Sequence, residues 1–177
     1  MATNDQYRYH LNNAYFDSPL DFGGTLLCQI GRLYCYPTTV IKPHIHKELY
    51  ELTVITSGKG VILTNGISHN VGADDIYLSF PNEEHSIISD EKDPLQYDFF
   101  AFSTKNTELR SQLHQISQSY ASPISRVFSD NSVKLLVSDA ISEIKLEDRF
   151  SHTMLTHICE QIIIRTVSSI IMILKLV

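Results

Sequence analysis

His44, His46, Glu51 and His85 are the residues best suited to chemistry in this chain. Alternate residues of a strand point to one face, so the spacing predicts His44 and His46 side by side on an extended segment. Glu51 follows five residues after His46, and His85 arrives after a further pair of strand-like segments. Neutral imidazoles and a carboxylate suit a divalent iron, manganese, nickel or zinc ion. The same set can grip a small polar ligand, or form a polar cluster with no metal at all, and the residue types leave these readings open. Glu48 is expected on a solvated edge. No nucleophile-elbow pattern accompanies the histidines. Gly58, Gly60, Gly66 and Gly72 lack the strand-loop-helix setting of a nucleotide loop and read as turn residues.

The elements that must position these groups are strands first and helices last. Residues 1–22 read as an arm with loose turns. Thr25 to Tyr36 suits strands, with Gly31 as a turn or bulge. Pro37 and Pro43 bracket an edge strand or loop strand. Glu51 to Thr56, Val61 to Thr64, Ile67 to Val71, Ile76 to Phe80, His85 to Ser89 and Leu95 to Phe102 follow, divided by turns such as Ser57-Gly58-Lys59-Gly60 and Asn65-Gly66. Asp74 and Asp75 read as turn caps and His69 as an exposed hairpin residue. Short strands at this spacing predict an antiparallel sandwich or small barrel, lined or filled by Tyr36, Phe80, Tyr97 and Phe99.

After Ser103 the period changes to that of helices. Leu109, Leu113 and Ile116 fit a short helix; Val133, Leu136, Val137, Ala140, Ile141 and Ile144 fit a longer one capped by Asn131 or Ser132. Ser151 is expected to cap a third helix, apolar enough to meet more than one neighbour. A second subunit is the simplest such neighbour, which would put Ile158, Ile162 and Ile170 in a dimer interface. The apolar run from Ile162 is interrupted by Arg165 and Lys175 and is shorter than the roughly 20 residues a membrane span needs, so a buried helix is expected.

The 177 residues, 43% hydrophobic and 19% charged, describe a globular chain of about one domain. A net charge of −6 without clustered cations argues against a nucleic-acid surface within these residues. Cys28, Cys35 and Cys159 have no metal-type spacing and read as free thiols of a reducing compartment. The N-terminus has no apolar signal core, so a cytoplasmic location is expected.

From its histidine pair onward, His44-x-His46-x4-Glu51-x6-Gly58 resembles the first motif of the cupins, and Gly72, Pro81 and His85 resemble the second. Thr38 stands where the first motif usually has glycine, and Glu83 where the second does. The runs His-x-His-x-x-x-Tyr-Glu-Leu, Ser-Gly-x-Gly and Gly-Ala-Asp-Asp-Ile-Tyr-Leu-Ser-Phe-Pro-Asn-Glu-Glu-His-Ser-Ile resemble, more narrowly, the N-terminal sensing domain of AraC-type transcription regulators. That resemblance implies a mainly β cupin-type double-stranded β-helix barrel over residues 1–103, including the arm. A helical dimerisation segment follows over 104–177, with a helix-turn-helix DNA-binding domain beyond residue 177. It implies a homodimer that senses a small-molecule effector, a sugar or other metabolite, through His44, His46, Glu51, His85, Tyr36, Tyr97 and Phe99. DNA would be met only through the absent domain, no membrane is involved, and neither catalysis nor a cofactor is expected. A metal-dependent cupin enzyme using the four polar residues as ligands (an isomerase, decarboxylase or dioxygenase) and a stand-alone binding cupin are the competing readings.

Overall fold

Apolar residues on alternate positions give each strand one face to bury, and the first two thirds of the chain satisfies this with two antiparallel sheets. The structure is a computed structural model and describes residues 7–13, 18–120, 122–146 and 149–174, with side chains for 18–120, 122–146 and 149–172. Expectations that fall on residues 1–6, 14–17 and 175–177, Lys175 among them, lie outside the described residues. The strands are β1 (Tyr7–Asn13), β2 (Leu20–Asp21), β3 (Thr25–Cys35), β4 (Val40–Ile45), β5 (Tyr50–Ser57), β6 (Lys59–Thr64), β7 (Ile67–Gly72), β8 (Ile76–Ser79), β9 (Glu84–Ser89), β10 (Gln96–Thr104) and β11 (Val127–Phe128). The larger sheet runs β1-β3-β10-β5-β8-β11 with β2 on β3, and the smaller runs β4-β9-β6-β7. Helices α1 (Thr107–Ser119), α2 (Asn131–Leu146) and α3 (Ser151–Leu174) follow, with a 3-10 turn at Pro123–Arg126. The mainly β barrel with C-terminal helices is the fold the sequence pattern predicts.

The larger sheet is covered on both faces, which explains why Tyr97 to Phe102 is buried without a break. One face turns Leu33, Ile55, Tyr77, Tyr97 and Phe99 toward Ile62, Val71 and Ile87 of the smaller sheet, filling the barrel. The other turns Leu27, Ile30, Leu52, Val54, Phe100 and Phe102 toward the helices. The helical segment therefore packs its apolar stripes on its own barrel. Ile158, Ile162 and Ile170 are 8%, 0% and 1% exposed in that intramolecular core, so the subunit contact expected of them is corrected. The neighbour their apolarity calls for is this chain's own sheet. Exposed apolar side chains on the helices are instead Leu135, Leu146, Met154, Ile164 and Met172. α3 is long and apolar enough to cross a membrane by length and composition, and 44% of its apolar window is buried within the chain.

Several local expectations change. Residues 7–13 of the arm form β1, paired along β3 from Tyr7↔Cys35 to Asn13↔Ile30. Pairing there is carried by backbone groups, which leave no mark on the apolar pattern. Gly31 is neither turn nor bulge: it pairs with Phe99, and the β3–β10 register slips at Cys28 instead. Asp130, which accepts from the N–H groups of Ser132 and Val133, caps α2, one residue ahead of the expected Asn131 or Ser132. Ser151 is the first residue of α3, and the chain enters through a Met154 N–H bond to the Phe150 carbonyl. Asn65 and Gly66 both take positive φ, 48° and 80°, as the type I′ hairpin requires. Asp75 accepts from the Gly72 N–H, as a turn cap should. Cys28, Cys35 and Cys159 are free, and burial pushes the thiols of Cys35 and Cys159 up to about 12.

Candidate functional site: a buried His–Glu cluster at the barrel mouth

β4 lies at the edge of the smaller sheet, where Pro43, which has no N–H for the ladder, is tolerated. Its register on β9 moves from Ile41↔Ile87 to His44↔His85, so Lys42 and Pro43 together oppose Ser86. Such a bulge re-aims the strand, and here it sets His44 against His85, their rings 4.3 Å apart. His46 stands just past the end of β4, its ring 5.1 Å from that of His44 and 5.5 Å from that of His85. Glu51 comes from the facing sheet, near the start of β5. His46 Nε2 lies 3.2 Å and His85 Nε2 3.5 Å from its two carboxylate oxygens. All four predicted residues are thus brought together. Glu48 is exposed, as its loop position implied.

Burial alone would raise the Glu51 carboxyl, but His46 and His85 outweigh it and hold it down to about 2. Burial likewise works against protonation of His85, and the adjacent Glu51 reverses this and raises it. Burial lowers His44, whose other influences are weaker. His44 Nδ1 lies 2.9 Å from the Lys42 carbonyl. A carbonyl only accepts, so Nδ1 carries the proton and Nε2 keeps the lone pair.

Register shows what surrounds Glu51. Gln29, Ala101, Glu51 and Ser79 pair in one row across the larger sheet, so their side chains share the barrel-facing side. The next row inward is Gly31, Phe99, Thr53 and Tyr77. A polar layer therefore lies over an aromatic floor. Within that layer Gln29 Oε1, Ser79 Oγ, His46 Nε2 and His85 Nε2 are buried without a well-formed hydrogen bond; the two imidazole nitrogens approach Glu51 at ion-pair distance but off line. Ser79 Oγ faces the Tyr77 hydroxyl in the same way, while that hydroxyl bonds Thr64 Oγ1 at 2.8 Å.

Tyr97 and Phe99 are buried in the barrel, whereas Tyr36 is 50% exposed on the turn after β3 and lines nothing inside it. Phe80 faces the helices. His69 is 6% exposed, correcting the surface reading: it alternates inward on β7, its ring 4.8 Å from that of Tyr77. The sequence reading missed Gln29 and Ser79, whose only signal is register, and it missed Arg126. This arginine is 1% exposed and makes two 2.7 Å bonds to Glu83, the residue in the usual glycine place of the second motif. A groove of about 450 Å³ between α1, α3 and the Phe22–Thr25 region lies away from the histidines, and its acidic lining, Glu108 and Glu160, is exposed.

The donor set fits a divalent cation. Ligand nitrogens of His44, His46 and His85 lie within 4.8 Å of one another, the proton on His44 Nδ1 leaves its Nε2 lone pair available, and His46 Nε2 and both His85 nitrogens are buried without a well-formed hydrogen bond.

The model of a family described as the AraC-like ligand binding domain matches residues 28–157. No curated protein matches the sequence significantly. Among solved structures, a predicted oxalate decarboxylase from Thermotoga maritima is similar at 24% identity and TM-score 0.38, over 44% of this chain and 66% of that one. The cupin domain of a Schizosaccharomyces pombe protein is similar at 13% identity and TM-score 0.45, over 60% and 71%. An oxalate oxidase is similar at 18% and 0.46, over 59% and 54%. The chain thus spans about two thirds of the first structure's length and about half of the third's.

Proposed function

The chain belongs to the family of AraC-like ligand binding domains, and from that premise we propose that it is the effector-sensing part of a transcription regulator. A small polar molecule, a sugar or other metabolite, enters the barrel mouth and bonds His44, His46, Glu51 and His85 above the floor formed by Phe99, with Tyr97 deeper in the barrel. The observation that carries this is the polar layer. Each buried donor or acceptor left without a partner costs about 1–3 kcal/mol, and a ligand bearing hydroxyl groups satisfies several at once. Different affinities for two arrangements of the barrel and helices would pass the signal on. The partners are a second copy of the chain, meeting through exposed residues of α2 and α3, and DNA through a domain beyond residue 177. The setting is the cytoplasm, and no catalysis is assigned.

A second reading is favoured by the convergence of the three imidazoles, whose ligand nitrogens lie within 4.8 Å of one another beside the Glu51 carboxylate. His44, His46, His85 and Glu51 would hold iron, manganese, nickel or zinc, which supplies Lewis-acid chemistry when bound. The chain's own contribution is then to fix the imidazole tautomers and to keep Glu51 ionised.

Operator binding by the protein encoded by the whole reading frame tests the regulator role. The expected result is an operator affinity that changes with a metabolite in wild type and not in Ser79→Val. A frame lacking helix-turn-helix sequence beyond codon 177, or a response untouched by that variant, contradicts it.

A further inference from the structure

We infer that Arg126 positions the histidine cluster from the helical side of the molecule. Arg126 closes the 3-10 turn Pro123–Arg126, just ahead of β11 and α2, yet its guanidinium serves the barrel. Nη1 and Nη2 each bond a different Glu83 oxygen at 2.7 Å, Nη1 also donates to the Leu78 carbonyl at 3.2 Å, and the group lies over the Phe80 ring at 4.7 Å. The same Glu83 carboxylate accepts from the Phe80 N–H at 2.8 Å. The Leu78–Glu83 turn is therefore held at three points by one buried arginine. That turn reaches both central histidines. The Asn82 N–H donates to the His46 carbonyl at 2.8 Å, and His85 follows Glu83 by two residues. His44 is held separately, its Nδ1 2.9 Å from the carbonyl of Lys42 on its own strand, and meets the turn only through the ring of His85. A rigid two-toothed pairing resists rotation where a single contact would not, and this separates arginine from lysine at the position.

The inference rests on the reading of the cluster as a binding site only for its functional meaning, since the positioning itself is visible without ligand. Arg126 is a positioning residue: it touches neither the cluster nor anything bound there, and it carries movement of the 3-10 turn and α2 to His46 and His85.

The test is long-range proton–nitrogen correlation of the imidazole rings in the whole 177-residue chain, for wild type, Arg126→Lys, Arg126→Met and Glu83→Gln, at one pH. Wild type should show one resolved set of ring signals for each of His44, His46 and His85. In Arg126→Met the His46 and His85 signals should move, while those of His114, His152 and His157, exposed on the helices, stay in place. Glu83→Gln preserves shape if Arg126→Met fails to fold, and should move the same two rings in the same direction by less. Arg126→Lys should rescue stability but not the ring signals. Folded variants in which His46 and His85 are unchanged, or in which all histidines move alike, overturn the inference. Failure of the binding reading has a separate signature. Cobalt(II) or a metabolite panel would leave the wild-type ring signals unmoved, while Arg126→Met still shifts them.

Discussion

Replacing Glu51 by glutamine removes one charge from the barrel mouth and almost no volume. The carboxyl is held from an ordinary 4.5 down to about 2, against its own burial, by His46 and His85. The difference is worth about 3 kcal/mol at about 1.4 kcal/mol per pH unit. Between about pH 4.5 and 2 the folded chain binds fewer protons at Glu51 than the unfolded chain does. This stabilisation is therefore complete above about pH 4.5 and lost as pH falls through about 2. His85, raised by Glu51 despite its burial, contributes below its ordinary 6.5 and loses that contribution as pH rises through its folded value. One attraction stands behind both shifts and counts once. Buried His44 is lowered and acts oppositely, resisting protonation below 6.5, mainly through burial that both proteins share. Urea unfolding of wild type and Glu51→Gln from pH 3 to 8 reads the difference directly. It should be largest between about pH 4.5 and 6.5, reach about 3 kcal/mol at most, and fall to about half by pH 3. A difference independent of pH, or none at pH 5.5, would refute the electrostatic account of the cluster.

Thr38 has φ 60°, in the third place of the turn Tyr36–Thr39, where a β-branched residue is strained and the cupin motif usually has glycine. Thr38→Gly should therefore stabilise the chain by about 1 kcal/mol and raise its melting temperature by about 2–4 °C, and a lower melting temperature would refute this. Gly58 has φ 79°, and a Cβ there would stand 2.1 Å from the Pro94 carbonyl oxygen, so Gly58→Ala should cost at least about 2 kcal/mol in urea unfolding. Ile162→Asp should unfold the chain, seen by circular dichroism, because a buried unpaired charge costs several kcal/mol, roughly. Leu146→Asp should stay folded and, where the chain is dimeric, sediment as a monomer. Cobalt(II) added to wild type should give visible absorption bands that His46→Ala abolishes; equal bands in both would place the metal elsewhere.

The barrel and its four polar residues were legible because side-chain period and spacing carry them. His44-x-His46 needs only an extended strand to align its rings, and Asn65-Gly66 names its own turn. The row beside Glu51 was not legible. Gln29 and Ser79 become its neighbours only through the pairing of β3, β10, β5 and β8, a long-range register that no local pattern records. Tyr36 failed for a local reason: Pro37 starts a turn that leaves it outside the barrel. His69 failed because a polar hairpin, Ile67–Gly72, still alternates one face inward. The apolarity of Ile158, Ile162 and Ile170 calls for a covering surface but does not say whether that surface belongs to the same chain. Glu83 stood out only as a departure from a motif, and its reason, the buried guanidinium of Arg126, lies 43 residues away.

The most direct test of the central claim is thermal unfolding of the chain across a panel of small polar metabolites, with Gln29→Leu and Ser79→Val run beside wild type. A binder at about one hundred times its dissociation constant adds about 2.7 kcal/mol, which should raise the wild-type melting temperature by about 5–10 °C. Such a compound is expected, with the rise much reduced in both variants. No binder for wild type, or a rise that both variants keep in full, would contradict the barrel mouth as the sensing site.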